Sequence, residues 1–111
     1  MSGENGVLDF IAVGRSSVDL YGEQLGGRLE DMGSFAKYLG GSPTNTTVGA
    51  ARLGLNAGLV TRVGDDHMGR FIHEQLVRER VDVRGVITDR ARLTALAILG
   101  IRDNDAGNEG A

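Results

Sequence analysis

The 111 residues carry 12 Lys and Arg against 15 Asp and Glu, a formal net charge of −3, so no basic surface is available to draw nucleic acid. Hydrophobic residues make up 41 % and charged residues 24 %, which fits one ordinary globular domain and argues against disorder or a membrane class. Cysteine is absent, which excludes disulfides and thiolate metal sites, and eighteen glycines against one proline suit an α/β chain with tight crossings.

Residues 1–6 are polar and acidic and are expected to be disordered. Val7 to Val13 is an apolar run broken by Asp9 and without basic flanks, so it is neither a signal peptide nor a membrane span, and a cytoplasmic protein is the default expectation. Its short β-branched run reads as a buried strand ending at Gly14. Arg15, Ser16, Ser17 and Asp19 follow directly, and open α/β sheets bind ligands at the carboxyl ends of their strands. From Leu20 to Met32 the chain is polar and glycine-rich, and Phe35 to Leu39 reads as a short strand, so this stretch is an excursion from the main sheet.

Gly40 and Gly41 then let the backbone approach a ligand closely. Ser42 is expected as a helix N-cap and Pro43 as the first helical residue. First-turn N–H groups and the Asn45 amide would face whatever sits above the glycines, a site suited to a small polyhydroxylated molecule. The helix runs to about Leu53 and ends at Gly54, and Leu59 to Val63 is the next strand. Asp65 or Asp66 caps a second helix, on which Met68, Phe71, Ile72, Leu76 and Val77 recur at three- and four-residue spacing. Val83 to Ile87 and Leu93 to Ile101 read as further strands, and residues 104–111 as a disordered polar tail. Alternating strands and helices in this order predict a parallel α/β sheet with right-handed crossovers.

His67 and His73 lie six apart on one helix and face nearly opposite directions, and Asp65 with Asp66 is explained by capping and the helix dipole, so no metal site is expected. Neither a P-loop nor a Rossmann glycine fingerprint is present.

Gly40, Gly41, Pro43, Asn45, Thr47, Gly54 and Gly64 fall at the spacing of the first signature of the ribokinase-like (PfkB-type) carbohydrate kinases, and the chain resembles that family from about Phe10 to Asp103. Residues 14–24, 31–45 and 61–71 carry a closer resemblance to members that act on a sugar acid of inositol catabolism. The resemblance implies an N-terminal part of a ribokinase-like (Rossmann-like) α/β sandwich. Residues 7–103 would be a partial kinase domain, with a small β lid at about 20–39 and 93–101. By the same resemblance Asp19, Gly40, Gly41 and Asn45 would bind the sugar, with Arg15, Ser17, Lys37 and Arg102 as further candidates. It also implies ATP and Mg²⁺ as cofactors, a sugar or sugar acid as ligand, and allows a homodimer through the lid.

The family's second signature, Asp-Thr-x-Gly-Ala-Gly-Asp, which supplies the catalytic base and the anion hole, does not occur in the 111 residues. No catalytic residue and little of the ATP site are therefore expected in the chain, which alone should be inactive. The alternative is a non-catalytic sugar-binding or interaction fragment, or a truncated gene product. Arg80 departs from the family pattern, in which Gly is usual, and Arg90 from one in which Pro is common. A side chain at position 80 is strained if the turn there requires a positive φ.

Overall fold

Two three-stranded sheets organise residues 6–101, which the computed structural model describes. The first is parallel throughout: β1 (Phe10–Val13), β4 (Ala57–Gly64) and β5 (Val86–Asp89) lie in the order β1-β4-β5. Phe10 to Val13 pair with Ala57 to Val60, and Thr61 to Gly64 with Val86 to Asp89. The second sheet takes β3 (Phe35–Gly40), β2 (Ser17–Gly22) and β6 (Ala95–Leu99) in the order β3-β2-β6. Within it β2 runs antiparallel to β3, pairing Ser17 with Gly40, and parallel to β6, pairing Ser17 with Ala95. A short 3₁₀ turn, Leu29–Asp31, lies in the connection between β2 and β3.

Two helices, α1 (Ser42–Arg52) and α2 (His67–Arg78), cover one face of the parallel sheet. Alternation along β4 sends Leu59 and Val63 to that face, where they meet Ile72 and Leu76 of α2, with Val18 and Val81 closing the core. Val48 and Ala51 of α1 pack against the same cluster. The three- and four-residue spacing of Ile72 and Leu76 is what makes α2 amphipathic. No helix among the described residues is long and apolar enough to cross a membrane.

The opposite face of the parallel sheet is open. Ile11, Val13, Val60 and Ile87 are all exposed there, Val13 to 74 %. The run from Val7 to Val13 is therefore not a buried strand as its composition suggests. Only Phe10–Val13 is a strand, and its outer side chains meet no second layer. The strand expected at Val83 to Ile87 begins three residues later, because Val86 N–H bonds the Val83 carbonyl in a turn. The expected disordered ends lie outside the described residues, apart from Gly6.

Both helices end in the same hydrogen-bonded cap. At α1 the N–H of Gly54 bonds Ala51 O at 3.0 Å and that of Leu55 bonds Ala50 O at 3.2 Å, with Gly54 at φ 95°. At α2 the N–H of Arg80 bonds Val77 O and that of Val81 bonds Leu76 O, both at 3.0 Å, with Arg80 at φ 62°. This is the Schellman arrangement, and the contact between Leu76 and Val81 is its usual hydrophobic companion. Glycine fills the left-handed position in one helix and arginine in the other.

Candidate functional site

The site is built where β3 turns into α1. Gly40 ends the strand and Gly41 is the helix N-cap, at φ 98° and ψ 128°, a conformation essentially reserved for glycine. A methyl group on Gly41 would run into the Arg15 carbonyl, and one on Gly40 into the Asp19 carboxylate. Ser42 is thus the first helical residue rather than the cap, and Pro43 the second. Among the described residues no side chain caps the helix, so its first-turn donors are not consumed by a capping side-chain oxygen.

Buried hydroxyls hold this turn in place. Ser16 Oγ and Thr44 Oγ1 lie 2.6 Å apart, Thr44 Oγ1 donates to the Arg15 carbonyl at 3.2 Å, and Thr47 Oγ1 donates to the Pro43 carbonyl at 2.7 Å. Ser16 and Thr44 are almost fully buried. Their role is to pin α1 to the segment entering β2.

Asp19 does not sit at the end of the first strand. It lies inside β2, because Ser17–Gly22 pairs on both sides with β3 and β6. Ser17 Oγ donates to Asp19 Oδ1 at 2.9 Å and leaves the rest of the carboxylate's lone pairs to the cleft. In this open cleft of about 390 Å³ Asp19 meets Asn45, Tyr21, Tyr38, Leu39 and Ile101.

The structure therefore brings together Asp19, Asn45 and the glycine pair, with Ser17 buried behind Asp19. Arg15 is exposed, and it contributes its backbone carbonyl to the turn. Lys37 points its Nζ over the Phe71 ring, 4.5 Å from the centroid, in a neighbouring cleft between β3 and the helices. Arg52 and Glu79 close the far side of that second cleft with a two-pronged pair at 2.8 and 2.6 Å. That hydrogen-bonded pairing raises the Arg52 pKa and lowers that of Glu79. Arg102 lies outside the described residues. Tyr21 was not among the residues expected from sequence. The signal for it is its two-residue offset from Asp19, which on a strand means the same face.

A second carboxylate at a strand-to-helix turn has a different fate. Asp66 caps α2, accepting from Gly69 N–H at 2.7 Å, Thr94 N–H at 3.0 Å and Thr94 Oγ1 at 2.7 Å. Thr94 Oγ1 in turn accepts from Gly64 N–H at 2.9 Å, so the cap ties β4, α2 and the entry to β6 together. These bonds, the Thr94 N–H foremost, hold the Asp66 pKa down at about 2. Asp65 instead faces Arg70 at 3.6 Å. Among the described residues no three His, Cys, Asp or Glu side chains converge to hold a metal ion.

The chain is similar to known carbohydrate kinases. A 5-dehydro-2-deoxygluconokinase of Geobacillus thermodenitrificans is 46 % identical over 96 residues, covering 86 % of this chain and 28 % of that protein. A sugar kinase of Pyrococcus horikoshii, solved in complex with ATP, superposes with a TM-score of 0.79 at 34 % identity, over 82 % of this chain and 30 % of the other. The aminoimidazole riboside kinase of Salmonella enterica, solved with aminoimidazole riboside and an ATP analogue, gives 0.70 at 32 % identity, over 80 % and 28 %. The chain thus spans less than a third of the length of these relatives. The sequence profile described as "pfkB family carbohydrate kinase" matches residues 8–108, nearly the whole chain, and the chain belongs to the PfkB family of carbohydrate kinases.

Proposed function

We propose that this chain forms the sugar-acid-holding part of a cytoplasmic kinase of inositol catabolism, one that transfers the γ-phosphoryl group of ATP to a primary hydroxyl of 5-dehydro-2-deoxygluconate. The relatives' name supports the substrate, and the geometry supports the holding role. The observation that carries the reading is the juxtaposition of Asp19, with free acceptor capacity, and Asn45 on the helix that starts at the uncapped Gly41. An ionised carboxylate only accepts, so Asp19 suits two adjacent hydroxyl donors, while the Asn45 amide can both give and receive. Such contacts would fix the sugar acid's orientation, and orientation is the larger part of what a phosphoryl-transfer enzyme supplies.

ATP brings the phosphoryl group and Mg²⁺ offsets its charge. Asp19, set in the cleft with Asn45, is assigned to the ligand's hydroxyls rather than to that pair.

Calorimetric titration of the chain with 5-dehydro-2-deoxygluconate tests the reading. Asp19→Asn should weaken binding about tenfold or more, the worth of a hydrogen bond to a charged group, and Asn45→Ala should weaken it less. Equal affinity for the wild type and Asp19→Asn, or no binding by the wild type, would overturn it.

A further inference from the structure

Three side chains stand on one face of the second sheet. Asp19 and Tyr21 are two residues apart on β2, and Tyr38 of β3 is the register partner of Asp19. The two tyrosine rings meet edge to face, with centroids 5.5 Å apart and planes at 81°, an arrangement that fixes both rings. Tyr38 remains 55 % exposed, so ring surface is left turned to the open cleft. Ile101 extends the apolar surface of the cleft, while Leu39, the register partner of Val18, turns its side chain to the core on the other face of the sheet. The cleft is therefore two-sided, with hydrogen-bonding groups at Asp19 and Asn45 and an aromatic and aliphatic wall beside them.

We propose that Tyr21 and Tyr38 act as specificity-determining residues, forming a wall that packs against the deoxygenated carbon of a sugar acid and disfavours a hydroxyl at that carbon. The inference rests on the proposed function and adds to it a choice between ligands. A hydroxyl buried against ring faces loses its water and gains no partner, whereas a methylene gains by leaving water. Against such a wall a CH₂ is favoured over a carbon whose hydroxyl would have to face the rings, and the name of the 46 % identical relative describes a ligand with a CH₂ in its chain.

Tyr21 and Tyr38 are the two tyrosines of the sequence, and it has no tryptophan, so intrinsic emission reports on this wall. The probes are 2-deoxy-D-gluconate and D-gluconate, titrated into the 111-residue chain and followed by tyrosine fluorescence and calorimetry. The deoxy acid is expected to bind about fourfold more tightly, the value of one buried CH₂. Tyr21→Phe and Tyr38→Phe, which keep the ring, should preserve that ratio. Tyr21→Ala and Tyr38→Ala, read by calorimetry, should bring it to about one, and the exposed position of Tyr38 lets that variant fold. Asp19→Asn should weaken both ligands and leave the ratio unchanged. A ratio that survives both alanine variants, or that is lost in the phenylalanine variants, overturns the aromatic wall while the Asp19 result keeps the sugar site. Failure of 2-deoxy-D-gluconate to bind the wild-type chain overturns both, whereas binding of the deoxy acid with no measurable binding of D-gluconate is the expected preference in its extreme form.

Discussion

The two α-helices among the described residues each start after a strand that ends in glycine, and each glycine lies under a carboxylate. At Gly40 the carboxylate is Asp19, and at Gly64 it is Asp66. Asp66 is consumed by its own chain, accepting from Gly69 and twice from Thr94, and α2 starts capped. Asp19 accepts one hydrogen bond among the described residues, from Ser17, and α1 starts without a side-chain cap. Two turns of similar construction thus differ in what they leave over: where the chain satisfies its own acceptors and donors the turn is a joint, and where it does not, those groups stay available in a cleft.

The largest break in this comparison is Gly41→Ala. The left-handed backbone and the Arg15 carbonyl beneath it both oppose a side chain, so a loss of about 3 kcal/mol in urea unfolding is expected from strain and overpacking together. An unchanged midpoint would show that the turn can relax and that its shape is not fixed by glycine. Asp66→Ala removes a cap and two bonds to Thr94, and about 2 kcal/mol should be lost. Asp19→Asn, which disturbs only the Ser17 contact, should stay within about 0.5 kcal/mol.

The pH dependence of the Asp66 effect follows from its lowered pKa, about 2 when folded, against about 3.9 in an unfolded chain. The unfolded state takes up the proton first as pH falls, so the stabilisation is complete above about pH 4 and is lost between pH 4 and 2. The gap between wild type and Asp66→Ala should therefore narrow across that window. A gap that is constant from pH 6 to pH 2.5 would mean that the carboxylate's charge is not what the cap uses.

Much of the parallel sheet and α2 was legible in the sequence, because Ile72 and Leu76 repeat at the helical period and Asp66 stands where an N-cap belongs. The glycine turn was legible for a similar reason, since Gly41 occupies a backbone conformation that other residues avoid. β2 was harder. Ser17–Gly22 owes its extended form to β3 and to β6, about eighty residues away, and no local pattern announces such pairing. The sequence pattern therefore places Asp19 after a strand rather than inside one and gives no sign of Tyr21 on its flank. Ser42 was expected as the cap on propensity alone, whereas the sharp turn moves the helix start back to Gly41. The exposure of Ile11 and Val13 has another origin: a parallel sheet wants two covered faces, and a short run of sequence cannot tell whether the second layer is present.

The helix ends repeat the comparison in a subtler form. Gly54 at φ 95° and Arg80 at φ 62° hold the same Schellman position with the same two backbone bonds, so the caps differ chiefly in the side chain. A Cβ in the left-handed region costs on the order of 1 kcal/mol, and glycine there costs nothing sterically. The strain at Arg80 persists because Leu76 and Val81 on either side are locked into the core and over-determine the turn. Arg80→Gly should therefore raise stability by about 1 kcal/mol in urea unfolding, and Arg80→Asn, which tolerates the conformation in part, by less. Gly54→Ala should lower it by a similar amount. If Arg80→Gly proves neutral or destabilising while Gly54→Ala destabilises, the two caps are not equivalent and the arginine side chain itself supports the turn.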